Sequence, residues 1–455
     1  MNELAMLRRE NQPTADLLDN VSAAVSDTAT APFARFRSWF PRLVLTRPAL
    51  LTESESMSLE TDLSGLLRLL QSLPDRLFGG DMVSFARAAG WDHPMLPDVL
   101  RMLGGPPVSL GRADLVRSPG GFKAVEINTS SSLGSFEFGE LCRAFLAVPA
   151  FARFAAQESL HHVDPLADMA QTLLASSGYL PDDRPVIAVT RWITSTVDVN
   201  PSLFVDLMRD LGFQVVVCTV DQLALRDDGL YLDDLRIDVI HRAFLLQSVL
   251  ATDGALELLA PLSRARDAGQ VQVFAGLTAD VYGAKSCLAL LSDPRNAHAF
   301  TADERRLVAR ILPWTRRLVD EPAETEGGTE PLVAHVLAHQ ADLLLKPSIG
   351  NAGCGVVAGW LVSREEWETA VDSAIRTNDH IVQRRVVSVS ERYIMPGEPT
   401  VEADYLLHWG LFITADGLSG GFVKGLPDKP QDVRFLGDGS HVGCIFQQQV
   451  DTRRN

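Results

Sequence analysis

The sequence predicts a mixed fold, α/β in its middle and α+β towards its C-terminus, with a mainly helical N-terminal region. Three observations carry this. Leu59, Leu63, Leu66 and Leu70 recur at helical spacing within SLETDLSGLLRLLQSL. From about residue 185, short apolar runs alternate with helical patterns, as β–α–β units do. In the last stretch, strand-like runs cluster around a glycine-rich loop.

A chain of 455 residues exceeds what one hydrophobic core organises, so two or three domains are expected. Its 46% hydrophobic and 22% charged residues are ordinary for a globular protein. No run approaches the ~18 apolar residues of a membrane span, and MNELAMLRREN lacks the apolar core of a signal peptide. Cys142, Cys218, Cys287, Cys354 and Cys444 are scattered without a CxxC, which reads as free thiols in a reducing cytoplasm. A net charge of −17 disfavours a sequence-independent grip on nucleic acid. Lysines converging in one cleft can still hold an anion, because salt screens charges beyond about 10 Å.

The elements follow in order. Ser58 is a candidate N-cap for the leucine-rich helix. LGRADLVRSPGGFKAVEIN gives two alternating runs around Ser118-Pro119-Gly120-Gly121, a β-hairpin. Residues 185–189 suit a buried strand, Asn200-Pro201 starts a helix that Gly212 ends, and 213–218 form the next strand. RIDVIHRAFLL supplies a later strand. The acidic stretch 321–330, with Gly327-Gly328, is a candidate linker or surface loop. In LLLKPSIGNAGCGVVAGWLV, strand 343–345 leads through Lys346-Pro347 to Gly350, Gly353 and Gly355, then to strand 356–362. Ser363 with Glu366 makes a capping box that opens a helix to about Ile375.

The hairpin carries candidate chemistry. Glu126 and Asn128 lie two apart on one strand and share a face, as Arg112 and Asp114 do on its partner. A carboxylate beside an amide oxygen suits Mg²⁺, a hard cation that takes few protein ligands. Register decides whether the pairs meet. Ser118 opposite Phe122 puts Asp114 across from Glu126 and Arg112 across from Asn128, all on one face; Arg117 opposite Phe122 separates them. The first register, or a bulge with the same effect, is expected. The alternative is an ordinary amphipathic hairpin with a solvated polar face.

Rossmann and P-loop sites place glycines between a strand and a helix. Here they join two strands and GxxxxGK[ST] is absent, so neither motif applies. Such a hairpin can fold over a triphosphate, its backbone N–H groups approaching the oxygens and Lys346 supplying a point charge. A flexible hairpin with an exposed lysine is the plainer reading. His161-His162 with Asp164 lacks a third ligand at fixed spacing and reads as a solvated loop. There is no G-x-S-x-G elbow and no H-E-x-x-H motif.

Taken together, these segments resemble the circularly permuted ATP-grasp ligases. VEINTSSSLGS is similar to the metal-binding segment of eukaryotic glutathione synthetase, and LLLKPSIGNAGCGV to its lysine and glycine-rich flap. DVYGAKSCLALLSD, where Lys285 opens a helix, matches the second ATP-binding lysine. The stretch onward through ILPWTRRLVD resembles bacterial proteins related to glutathionylspermidine synthetase. The resemblance implies three units: 1–180, helical and contributing the hairpin; 181–280, a small Rossmann-like pre-ATP-grasp domain; and 281–455, the nucleotide-binding region. It assigns Glu126 and Asn128 to Mg²⁺. Lys285, Lys346, Gly350, Asn351, Gly353, Gly355, Gln383, Arg384 and Val386 go to ATP, the backbone of Arg384 to Val386 meeting the purine edge. Arg112, Asp114, Ser130, Ser131 and Ser132 go to the substrate, and Lys424 in GGFVKG completes a catalytic set with Arg112 and Lys346. Two positions depart: Gly350 stands where the family has a metal-binding glutamate, and His408 in LHWGLF where it has a glutamate near the nucleotide.

The implied activity joins a small-molecule or peptide carboxylate to an amine through an acyl phosphate, releasing ADP and phosphate. The implied partners are therefore small molecules, with no nucleic acid or membrane, and a homodimer is compatible. A non-catalytic nucleotide-binding relative, and a kinase that stops at phosphorylation, are the alternatives.

Overall fold

The structure, a computed structural model, describes residues 31–40, 43–194, 202–325, 328–350, 353–395, 401–428 and 440–448. MNELAMLRREN, the helix start at Asn200-Pro201, Gly327 and Asn351 lie outside the described residues.

The leucine-rich helix spans Glu53–Phe78, and its cap lies six residues before the expected one. Thr52 is the N-cap: its side chain accepts from the Glu55 N–H, and the Glu55 carboxylate takes the Thr52 N–H at 3.0 Å. Those reciprocal bonds outcompete Ser58, which falls inside the helix. Leu59, Leu63, Leu66 and Leu70 are buried as their spacing requires. They cover one face of the largest sheet.

That sheet has the order Ala49–Leu51, His441–Gln448, Gly417–Pro427, Val401–Thr414, Gly111–Ser118, Gly121–Asn128. The predicted hairpin thus pairs antiparallel with Val401–Thr414, so residues from both the 1–180 and the 281–455 segments form one sheet.

The middle of the chain folds as a four-stranded parallel sheet in the order Gln272–Phe274, Val239–Arg242, Val186–Arg191, Gln214–Thr219. The helix expected there is described over Ser202–Asp210. The order reverses between Val186–Arg191 and Val239–Arg242, where open α/β sheets leave a crevice at the carboxyl ends of their strands. A three-stranded antiparallel excursion, Leu223–Arg226, Gly229–Leu232 and Leu235–Ile237, interrupts the β–α–β pattern and was not expected.

A third sheet, Thr315–Arg317, His380–Arg384, Leu343–Pro347 and Val357–Ala358, carries the glycine loop. The helix Arg364–Thr377 covers it, started by the expected capping box at Ser363 and Glu366. Trp367, Val371 and Ala374 pack there on Leu343, Leu345 and Val382. The strand expected over 356–362 is only Val357–Ala358. Gln340 bends the chain next, donating to the carbonyls of Gly359 and Val362 at 3.0 and 2.9 Å. Gly359 lies against Gln340 O so closely that a Cβ there would sit 2.0 Å from it. The acidic stretch is no linker: Pro322–Thr325 pairs with Gly328–Pro331. Among the described residues no helix is long and apolar enough to cross a membrane.

Candidate functional site

The hairpin resolves its register with one extra residue. At the tip Ser118 faces Gly121 and Arg117 faces Phe122, the pairing that would send Glu126 to the far face. A bulge between Ala124 and Glu126 leaves Val125 unpaired and shifts the ladder, so Asp114 faces Glu126 and Arg112 faces Asn128. The tip is therefore tighter than a Pro-Gly-Gly loop, and the bulge restores the expected face.

Directly paired residues on neighbouring strands share a face, and His408 pairs with both Val116 and Lys424. His408 and Lys424 thus join Arg112, Asp114, Glu126 and Asn128. Arg112 donates to Asp114 through Nε at 2.8 Å and Nη2 at 3.2 Å, and Asn128 Nδ2 approaches Asp114 Oδ2 at 3.4 Å. Burial raises the Asp114 carboxyl, but Arg112, His408 and Lys424 outweigh it and hold it below its ordinary value. Burial pushes the His408 imidazole down, opposed by Asp114.

Two lysines from distant segments reach this face. Lys285 opens the helix Lys285–Ser292 and lies 3.1 Å from Glu126 Oε1. Its Nζ also donates to Gly350 O at 2.8 Å, and its backbone N–H to Ser348 O at 2.8 Å. Ser286 Oγ and Ser348 Oγ are 2.6 Å apart, so the helix start is stitched to the base of the glycine loop. Lys346 Nζ donates at 3.0 Å to the carbonyl of Val125, the bulge residue. Burial draws the Lys346 ammonium down to about 8; Glu126 works against that shift and Lys285 adds to it.

A cavity of about 300 Å³ opens from this cluster, its wall including Arg112, Glu126, Asn128, Lys285 and Gly350. Ser130, Ser131 and Ser132 line it, yet their hydroxyls are engaged within the protein. Ser131 Oγ donates to Arg242 O at 2.7 Å, Ser132 Oγ to the carbonyls of Arg242 and Phe244, and Ser130 Oγ accepts from Arg242 at 3.1 Å. Arg242 is fully buried and pairs with Asp280 at 2.6 Å; Asp280 also takes the Leu246 N–H. One guanidinium therefore ties the serine loop to the strand end and to the helix Thr278–Tyr282 that leads to Lys285. Sequence reasoning missed this pair, having read RIDVIHR only as a strand.

A second cavity, about 710 Å³, lies at the hairpin tip between Ser118, Lys123, Trp314, Arg316, Arg384 and Val386. The N–H groups of Arg384 and Arg385 are donated to Trp314 O and Asp342 O at 2.8 Å, so they are not available to a purine edge. Gln383 is buried and its amide donates to Thr315 Oγ1 at 3.0 Å, holding two strands together. In the glycine loop, Gly353 and Gly355 take φ of 73°, left-handed backbone that favours glycine, while Gly350 at 157° is nearly extended.

Among the described residues no group of three or more His, Cys, Asp or Glu could hold a metal by itself. Glu126 and the Asn128 amide oxygen, on one face of the strand, suit a cation that keeps most positions for phosphate and water, as Mg²⁺ does, whereas both Asp114 oxygens are engaged by Arg112. His161 and Asp164 serve structure: His161 meets Gln447, and Asp164 caps the helix Pro165–Ser176 and pairs with Arg143 at 2.7 Å. All five cysteines are free; Cys354 is exposed and the others are buried.

No family model matches the chain, and no curated protein does. Among solved structures, a glutathione synthetase-like effector from Globodera pallida, in its apo form, superposes with a TM-score of 0.60 at 12% identity. The match covers 96% of this chain and 98% of that one. A Methylobacillus flagellatus protein provisionally described as a gamma-glutamylcysteine synthetase gives a TM-score of 0.41 at 12% identity, over 84% of this chain and 87% of that one. The mixed α/β architecture described above is thus shared, end to end, with a glutathione synthetase-like structure, and at such identity the likeness is one of fold.

Proposed function

We propose that this chain is an ATP-dependent carboxylate–amine ligase on a circularly permuted ATP-grasp fold, with ATP and Mg²⁺ as cofactors. One observation carries the reading. A strand bearing Glu126 and Asn128 meets Lys285 at a single cavity, and Lys346 reaches the same strand at the Val125 carbonyl beside it, both lysines coming from segments far along the chain. The end-to-end likeness to a glutathione synthetase-like fold supports it. On this reading 181–280 is a pre-ATP-grasp domain, while 281–455 and the hairpin together hold the nucleotide.

Glu126 and Asn128 would hold Mg²⁺, which when bound offsets charge on the transferring phosphoryl group. Lys285 and Lys346 face the phosphates; Lys346 is anchored by a main-chain carbonyl, so its position does not depend on the ligand. Arg112, fixed by Asp114, orients the reacting carboxylate. That carboxylate attacks the γ-phosphorus, ADP departs, and an amine then displaces phosphate from the acyl carbon. The protein's contribution is placement and charge neutralisation. Purine contacts fall to the tip cavity near Val386, without the Arg384 and Arg385 amides.

The test is ADP release in the presence of a carboxylate and an amine together, across a panel of amino acids and small acids. Product mass separates an amide from a phosphorylated compound, and AMP as product would sink the reading. A second reading, nucleotide binding without turnover, is favoured by Gly350, whose carbonyl meets Lys285 where a metal-binding carboxylate would stand. Mg·ATP binding with no ADP from any pair would select it.

A further inference from the structure

The 300 Å³ cavity runs from Glu126 and Lys285 to the carboxyl ends of two parallel strands, where Val189, Arg191 and His241 line it. Those strands flank the reversal in strand order, the crevice where such sheets take ligands. The segment after Asn128 forms one wall, and it carries a group that the ligase chemistry leaves unused, Glu137.

Glu137 Oε2 is buried with no hydrogen-bond partner. Burial pushes the carboxyl up, opposed only by the backbone N–H groups of Glu137 and Ser135. Among the described residues no cation enters that balance. Ser135 adopts φ 80°, left-handed backbone that a residue with a side chain seldom takes. Glu137 also precedes the helix Phe138–Leu146, whose first-turn N–H groups favour a negative charge. On balance the surroundings disfavour the charged carboxylate and give it no countercharge, and a buried acceptor left unmatched is destabilising.

We propose that Glu137 receives a protonated amine of the substrate, so that the molecule filling this cavity carries a cationic amine besides the carboxylate that reacts. The inference rests on the ligase reading of the same site. A charge-assisted bond from an ammonium would satisfy Oε2 where a neutral hydroxyl would leave the charge uncompensated.

The test is calorimetric titration of the full chain, with Mg²⁺ and a non-hydrolysable ATP analogue present, using pairs that differ in one amine. β-Alanine with propionate, 4-aminobutyrate with butyrate, and alanyl-alanine with its N-acetyl form are suitable. The amine-bearing member should bind about tenfold tighter or more. Glu137→Gln should remove the preference and Glu137→Asp should keep part of it, with thermal melts confirming that both variants fold. Equal affinity within every pair, no binding by any amine-bearing probe, or a preference that survives Glu137→Gln overturns the proposal. Because the readout is binding, absence of ADP from every pair counts against the ligase reading alone. ADP formation beside an unchanged Glu137→Gln preference counts against this inference alone.

Discussion

The hairpin 111–128 has a cavity at each end, and the two are built differently. At the tip, where the volume is about 710 Å³, three of the cations are held by main-chain carbonyls. Lys123 donates to Ala309 O, Arg305 to Phe300 O and Arg316 to Ser292 O, bonds that fix a charge without cancelling it. At the other end, where the volume is about 300 Å³, two cations are matched against carboxylates, Lys285 with Glu126 and Arg112 with Asp114, while Lys346 beside them rests on the Val125 carbonyl and is acted on by Glu126. The smaller cavity is the one where opposite charges meet, within one strand for Arg112 and Asp114 and between distant segments for Lys285 and Glu126.

The largest break in this comparison comes from removing a charge at the smaller end. Lys346→Ala should lower carboxylate-dependent ADP formation by about 100- to 1,000-fold, the loss seen when one preorganised electrostatic group is deleted. Lys123→Ala at the tip should change it by less than about tenfold; comparable losses in steady-state assays would refute the contrast.

The next effect is in pH. The Lys346 ammonium, drawn down to about 8, is charged below that value and neutral above it. Affinity for a nucleotide should therefore fall as pH rises through about 8. Glu126 works to raise this lysine and Lys285 to lower it, so Glu126→Gln should move the fall to lower pH and Lys285→Met to higher pH. A fall that stays put in both variants, measured by fluorescent-nucleotide titration, would exclude Lys346 as its source.

Smaller again, Val386→Trp should fill part of the tip cavity and raise the nucleotide KM about tenfold with kcat little changed, as loss of uniform binding does. An unchanged KM would remove the tip from the nucleotide site. Ser131→Ala should cost about 1 kcal/mol in denaturant unfolding by deleting one neutral hydrogen bond to Arg242 O. A selective loss of substrate affinity instead would mean that the hydroxyl also serves the ligand.

Much of the smaller end was legible because its signals are local. Glu126 and Asn128 fall on one face by strand periodicity, and Lys346 follows a strand-like apolar run, whereas Lys285 came only from the family resemblance. The bulge was anticipated only as one of two solutions, since the choice is tied to Lys346 reaching Val125 from 221 positions away. Thr52 could have been found: TESE carries the capping-box spacing, but the leucine repeat begins after Ser58 and drew the start there. Arg242 and Asp280 stand 38 apart, and nothing local announces that two strand- and helix-end charges will be buried together. At the tip, the resemblance suggested a purine contact but not that Trp314 and Asp342 already hold the amides.

Val125 shows how such a site can be assembled in increments. Taking that residue out of the hairpin would straighten the ladder and still leave Glu126 opposite Asp114, because the tip pairing would simply continue. What would vanish is the carbonyl that Lys346 grips. A plain two-stranded ribbon could thus have carried the acidic group first and gained its lysine anchor by a one-codon insertion. Since the anchor is main-chain, substitution at position 125 leaves it in place, and only a change in length can take it away.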